Sequence, residues 1–396
     1  SEVFLEVSVP LIQGETLIEE LTLDLAARYS DYSTVGDTTT WRANLMYSPH
    51  EDLMVRLSKS QAIRAPNISE LFGPEVGATF RPTDPCNASV IAGIRSNDEA
   101  AANQLQANCV ADLQSIGYNP FDDSGEYVYT DPLSAAFPGV TGGNAELQEE
   151  TADTITAGFV YNSSWLEGFS VTADYWSIEI DDAISAVSSD DIVNGCYVGE
   201  SLNENFCSLF TRNTDASSPQ FGGLNFLRST QVNFARLETS GVDFSVGYDF
   251  EVGAHTFYTK VSGTKVNEID QYTNPNDLTE VNPELGEVNR PEWAGNINLT
   301  WKWEELQVGW QTQYMDEQLL AGVEVEEYER GDFDDTAMMD EFWQHDINFS
   351  YMVKENLKMY GGIKNITDEQ PFITNFAYPA SPRGRFYFVG FDMQFK

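Results

Sequence analysis

Segments of alternating apolar and polar residues run the length of this chain, and the connections between them take two lengths in strict turn. Short connections fall at residues 13–16, 48–52, 162–167, 251–254, 304–305 and 354–356. Long ones, rich in Gly, Pro, Asn and Asp, fall at 31–38, 61–146, 185–227, 267–290, 321–339 and 366–383. Between them lie thirteen strand-like segments, from Glu2 to Phe395. A meandering antiparallel barrel in an outer membrane keeps tight turns on its periplasmic side and long loops outside, whereas a soluble sandwich has no reason to sort loop length by parity. The pattern predicts an all-β chain: a transmembrane, antiparallel, up-and-down β-barrel whose long extracellular loops carry short helical pieces.

A barrel wall between lipid and a wet lumen must alternate at period two. From Ala294 to Trp303, Ile297, Leu299, Trp301 and Trp303 share one face, and Asn296, Asn298, Thr300 and Lys302 the other. Leu306, Val308, Trp310 and Tyr314 likewise oppose Gln307, Gly309, Gln311 and Gln313. The last segment puts Tyr387, Val389, Phe391, Met393 and Phe395 on one side, but its opposite face is mixed, with Phe386 and Phe388 beside Gly390, Asp392 and Gln394. One amphipathic strand fits a soluble sheet equally well. Many segments here reach about ten residues, however, beyond the about five or six usual in globular proteins. Aromatic residues at strand ends, among them Tyr29, Trp41, Tyr47, Tyr161, Trp301, Trp303, Tyr314 and Tyr351, match interfacial girdles.

No apolar run approaches the roughly 20 residues of a membrane-crossing helix, and mean hydropathy is −0.33, so strands are the only route into a bilayer. Against 63 acidic residues stand 21 basic ones, a net charge of −42, which disfavours nucleic acid as a partner. With 24 Phe, 18 Tyr and 8 Trp the chain is far too aromatic for disorder. The acid gathers in loops, with Glu324, Glu326, Glu327, Glu329, Asp332, Asp334 and Asp335 in one of them. A salt-adapted surface is the plainest meaning. Loop-bound Ca2+, bridging to lipopolysaccharide phosphates, is a second, and attraction of a cationic ligand a third. The run lacks EF-hand spacing, so no metal ligand is assigned. Four cysteines form two local sets inside the long loops, Cys86 with Cys109 and Cys196 with Cys207. Disulfides within each loop suit an oxidising compartment, and a zinc site would want CxxC spacing that is missing.

No catalytic residues emerge: HExxH, GxSxG, P-loop and dinucleotide-binding patterns are all missing. His50 falls in a short turn, while His255 and His345 fall on wall faces without a partnered Ser or Cys. The chain is not expected to be an enzyme; an outer-membrane hydrolase is the remote alternative.

Residues 58–72 run Ser58-Lys59-Ser60, then Ile63-Arg64-Ala65-Pro66-Asn67-Ile68-Ser69-Glu70-Leu71-Phe72. The segment resembles the "S..(F/I)RAPN..EL(F/Y)" stretch of TonB-dependent outer-membrane receptors. Asp84-Pro85-Cys86 with Asn108-Cys109, the run Leu237 to Phe244, and Lys364-Asn365-Ile366-Thr367-Asp368 ahead of Gly384-Arg385 and Gly390 resemble the same family. The resemblance implies a 22-stranded barrel plugged by an N-terminal domain, importing scarce ligands with energy delivered by TonB. Residues 1–396 would supply about thirteen of those strands, as the C-terminal part of the barrel. Plug, TonB box and first strands are absent from the sequence, and contact with the TonB complex would run through that N-terminal region. Phe395 would serve as the aromatic end that the assembly machinery reads.

The location implied is the outer membrane of a Gram-negative bacterium, in contact with lipid and lipopolysaccharide. For the ligand, lumen-facing Gln311, Gln313, Gln344, Asp346 and Asn348, with Arg64 at a loop root, are the candidates for hydrogen-bonding a polar small molecule or oligosaccharide. A merely wetted wall is the plainer meaning of the same residues. A glycan or other complex polar nutrient ranks slightly ahead of a siderophore or cobalamin. A surface-binding or adhesive barrel that works through loop 61–146 is the non-transport alternative.

Overall fold

The computed structural model describes residues 1–133, 135–273, 279–372, 378–379 and 381–395. Thirteen long strands form the wall. They are β1 (Glu2–Glu15), β2 (Ile18–Tyr32), β3 (Gly36–His50), β4 (Leu53–Arg64), β5 (Glu150–Asn162), β6 (Phe169–Ala186) and β7 (Gln231–Val252), followed by β8 (His255–Tyr272), β9 (Trp293–Trp303), β10 (Leu306–Met315), β11 (Phe342–Lys354), β12 (Leu357–Lys364) and β13 (Phe386–Met393). Each pairs antiparallel with its neighbours in chain order, and a short strand, Asn282–Pro283, pairs back onto β8. Among the described residues β1 and β13 each have one strand neighbour, so the sheet is an open meander. Pro10 lies in edge strand β1 where the register shifts, as a residue without an N–H donor requires.

Five of the six long connections are long in the structure as well. Residues 31–38 are not. There β2 and β3 keep pairing through Asp31↔Asp37 and Tyr32↔Gly36, so only residues 33–35 turn the chain. The polar composition that suggests a loop belongs to ladder rungs standing beyond the apolar band. Gly36, at φ +80°, supplies the left-handed conformation that closes the hairpin. Residues 274–278, 373–377 and 380 of two other predicted long loops lie outside the described residues.

Because residues paired across antiparallel strands share a face, the register sorts the wall without further assumption. Val261, Ile297 and Thr312 join His345 in one row; Leu299, Trp310 and Ile347 form the next, and Trp301, Val308 and Phe349 the third. This is the apolar face. At the short-turn end it carries a belt of rings: Tyr248 and Phe250 stack at 4.9 Å, Phe250 and Phe257 at 4.9 Å, and Trp301 lies parallel to Trp303 at 6.4 Å.

The mixed face of β13 has a packing reason. A Cβ on Gly362 would stand 2.9 Å from the Phe388 ring, and one on Gly390 would stand 2.5 Å from the Tyr360 ring. Each aromatic side chain therefore lies over a glycine of the adjacent strand, covering backbone that no side chain of its own protects.

The buried apolar cluster lies mainly in the two largest loops, reaching the wall at Val232 and Phe234 of β7. Helices α1 (Ile68–Phe72), α2 (Ala88–Arg95) and α3 (Glu99–Ser115) belong to the loop between β4 and β5; α4 (Ser189–Tyr197) and α5 (Glu204–Cys207) belong to that between β6 and β7. Ile91, Leu105, Leu113 and Tyr129 of the first pack with Ile192, Val193, Tyr197, Phe206 and Leu227 of the second. Strand Phe137–Thr141 of one pairs in parallel with Leu224–Ser229 of the other. Cys86 bonds to Cys109 and Cys196 to Cys207, as the spacing predicts. The two loops make one lobe.

Candidate functional site

On the face opposite the apolar rows, β9, β10 and β11 align Asn298, Gln311 and Asp346 in one row and Asn296, Gln313 and Gln344 in the next. Asn348 follows in the row of Thr300 and Gly309. Five of the six candidate ligand residues are thus neighbours on one polar patch. Gly309 makes the last row possible, since a Cβ there would come within 2.8 Å of the Asn348 amide.

Above Gln313 and Gln344 the patch deepens into a cavity of about 380 Å3, lined also by Asp346, Lys364, Asn365, Ser381, Arg383 and Phe386. Asp346 organises it. Its Oδ1 accepts the Asn365 backbone N–H at 2.8 Å and the Gln344 amide at 3.1 Å. Asn365 stands in the left-handed region at φ 52°, and its side chain closes a turn with the backbone of Glu369, donating at 2.8 Å and accepting at 2.7 Å. The end of β12 is thereby pinned beside β11. Lys364 and Arg383 have no carboxylate within 4 Å among the described residues, although both line the same hollow.

Arg64 is placed elsewhere. Five strands separate β4 from β10, and the Arg64 guanidinium is spent on Glu150 and Glu70. Glu150 in turn accepts the Ile184 N–H at 2.6 Å, and Glu70 closes a capping box with Asn67 at the start of α1. These contacts clamp the roots of the lobe to the wall. Lys364, Asn365 and Arg383 are absent from the candidates read off the sequence, where Lys364 and Asn365 serve only as a family mark. Alternation along β12 puts Lys364 on the polar face, since its pair Lys364↔Phe386 shares a face with Gly362↔Phe388. Arg383 lies in an irregular connection, where no periodicity points to it.

The histidines stand on the apolar side or in turns. His345 Nδ1 lies 2.9 Å from Thr312 Oγ1, between the Trp310 and Trp343 rings, and His255 accepts the Trp301 indole N–H at 3.1 Å. Among the described residues no group of three or more His, Cys, Asp or Glu is arranged to hold a metal ion, the acidic loop 324–335 included.

An antiparallel meander of long strands with one apolar, aromatic-belted face and one polar face is the wall of an outer-membrane-type barrel. The chain belongs to the TonB-dependent receptor family: the model for its β-barrel, described as "TonB dependent receptor-like, beta-barrel", matches residues 2–366. Barrels of this family are outer-membrane proteins of Gram-negative bacteria, and its fold is that of transport receptors. No curated protein matches the sequence.

Among solved structures, the siderophore receptor PirA from Acinetobacter baumannii is similar over 100% of this chain and 45% of its own, with a TM-score of 0.59 and 14% identity. A mutant of the ferric enterobactin receptor PfeA from Pseudomonas aeruginosa, in complex with enterobactin, is similar over 99% and 45%, with a TM-score of 0.57 and 12% identity. The FrpB iron transporter from Neisseria meningitidis gives 100% and 45%, with a TM-score of 0.53 and 13% identity. The chain spans a little under half the length of these receptors.

Proposed function

We propose that this chain forms the ligand-facing wall of an outer-membrane receptor that takes up a polar, hydroxyl-rich nutrient of glycan type, with energy delivered by TonB. The observation that carries the reading is the patch of Gln311, Gln313, Gln344, Asp346 and Asn348 on one face of three adjacent strands. A run of amides and one carboxylate offers donors and acceptors in both senses, which is what a hydroxyl-bearing ligand needs on leaving water. The disulfide-braced lobe would face the medium and the short turns the periplasm. A siderophore is the second reading, favoured by the receptors named above.

The test is uptake and binding by the full-length receptor. Cells carrying it should accumulate a labelled oligosaccharide only while TonB is present, and Gln313→Ala with Gln344→Ala should weaken binding by about 1–3 kcal/mol, as expected for lost hydrogen bonds. Accumulation that survives deletion of TonB would end the TonB-driven reading. Binding of a ferric siderophore with no affinity for oligosaccharide would replace the first ligand class with the second.

A further inference from the structure

The cavity over Gln313 and Gln344 inverts the charge balance of the chain. Overall there are three acidic residues for each basic one. Here two cations, Lys364 and Arg383, meet one carboxylate, Asp346, whose Oδ1 is already held by the Asn365 N–H and the Gln344 amide. Asp368 lies at the edge of the hollow beside Gly384, but its Oδ1 is taken by the Arg385 N–H at 2.7 Å. Among the described residues neither cation has a carboxylate within 4 Å, which packing explains poorly in a molecule so rich in carboxylates. The two cations are well explained as a receptor for an anion supplied from outside, since a guanidinium and an ammonium that line one hollow can bind an oxyanion by charge-assisted hydrogen bonds.

Phe386 supplies the other half of the site. It lines the cavity, is 46% exposed, and stacks on Phe388 with ring planes 13° apart. Phe388 is fixed over Gly362. A half-exposed ring stacked on its neighbour and lining this hollow offers a platform for the C–H face of a sugar beside the amides and cations.

We infer that this corner, built by Lys364, Arg383, Gln313, Gln344 and Phe386, binds an acidic sugar, so that the ligand is an oligosaccharide bearing carboxylate or sulfate groups rather than a neutral one. The inference rests on the glycan reading above and narrows it. The ligand's oxyanion sits between Lys364 and Arg383, and its ring lies on Phe386. Lys364 and Arg383 act in binding and selectivity.

Titration calorimetry on the full-length receptor in detergent tests this with two matched pairs: a uronic-acid oligosaccharide and its carboxyl-reduced neutral counterpart, and a sulfated oligosaccharide and its desulfated counterpart. At least one charged probe should bind about tenfold tighter than its neutral partner, and which pair shows the gap identifies carboxylate or sulfate. Lys364→Gln and Arg383→Gln should each lower the charged-to-neutral affinity ratio by about that factor, while Lys364→Arg retains the preference. Equal binding within both pairs, or a preference that survives both substitutions, overturns the inference and leaves the glycan reading standing. No binding by any of the four overturns both.

Discussion

Arg212, in the loop between β6 and β7, ties that loop to Asp84, Asp112 and Tyr129 of the loop between β4 and β5. It is almost fully buried, yet all three of its guanidinium nitrogens are satisfied. Asp84 is held in a two-point contact at 2.6 and 3.0 Å, and Asp112 at 2.8 Å, while the Tyr197 and Tyr129 hydroxyls and the Gly222 carbonyl take the remaining donors. Burial pushes the Tyr197 hydroxyl well above its ordinary pKa, so it stays protonated and donates to Asp112 at 2.5 Å. Removing one member of such a set strands a charge in a dry place. Arg212→Met should therefore cost about 3–5 kcal/mol of lobe stability, whereas pairing it with Asp84→Asn should cost less. Limited proteolysis of residues 88–115 across a urea series would measure both. Asp84-Pro85-Cys86 is recognisable in the sequence as a family mark, but its partner lies 128 residues away and has no motif, so the role of Arg212 could not be read there.

At the scale of elements, what the sequence made legible was the face of each strand. Alternation alone puts Gln311, Gln313, Gln344, Asp346 and Asn348 on the side the register gives them. Period two does not reveal what crosses between strands. Arg56 and Asp174, on β4 and β6, form a two-point ion pair at 2.7 and 2.6 Å across β5 because Gly158 stands between them; a Cβ there would lie 2.1 Å from Asp174 Oδ1. The 31–38 hairpin fails for a related reason, since polar residues high in a wall look like a loop.

A second link joins two connections, where Leu319 N–H donates to the Gly286 carbonyl at 2.7 Å and Asn289 N–H to Gln318 at 2.8 Å. Beside it Glu287 is buried, with Oε1 unpartnered. Burial first, and then Glu324 opposite, raise its pKa to about 7 against the pull of Arg290, which also binds Glu284. A carboxyl whose folded pKa is raised contributes stability that is complete below its ordinary 4.5 and lost as pH rises through about 7. Hydrogen exchange of the Leu319 amide should accordingly quicken between pH 5 and pH 8 beyond the intrinsic rate change. Glu287→Gln should abolish that excess.

For the molecule as a whole, the wall and the lobe are held by different physics. The wall is a ladder with an apolar outer face, stable through backbone pairing and a lipid-like surrounding. The lobe is a small water-facing core with two disulfides and a buried ion network. Closing residues 86–109 restricts the unfolded chain by about 3 kcal/mol, a large share for a core this size. Reduction of the detergent-solubilised chain should expose α2 and α3 to protease while the β-sheet circular dichroism of the wall stays unchanged. Simultaneous loss of both signals would show that wall and lobe unfold together. The existence of two large loops, their cysteine pairs and the wall itself are evident from composition and spacing. That the loops share a core is not, because each loop's apolar residues look like isolated punctuation until the other loop is beside them.

That shared core imposes an order in time. Residues 65–149 leave the ribosome before 187–230, with β5 and β6 between them, and their strand Phe137–Thr141 has no parallel partner until Leu224–Ser229 follows. The first loop therefore stands half-built, with Ile91, Leu105 and Leu113 uncovered, until the second loop has been made.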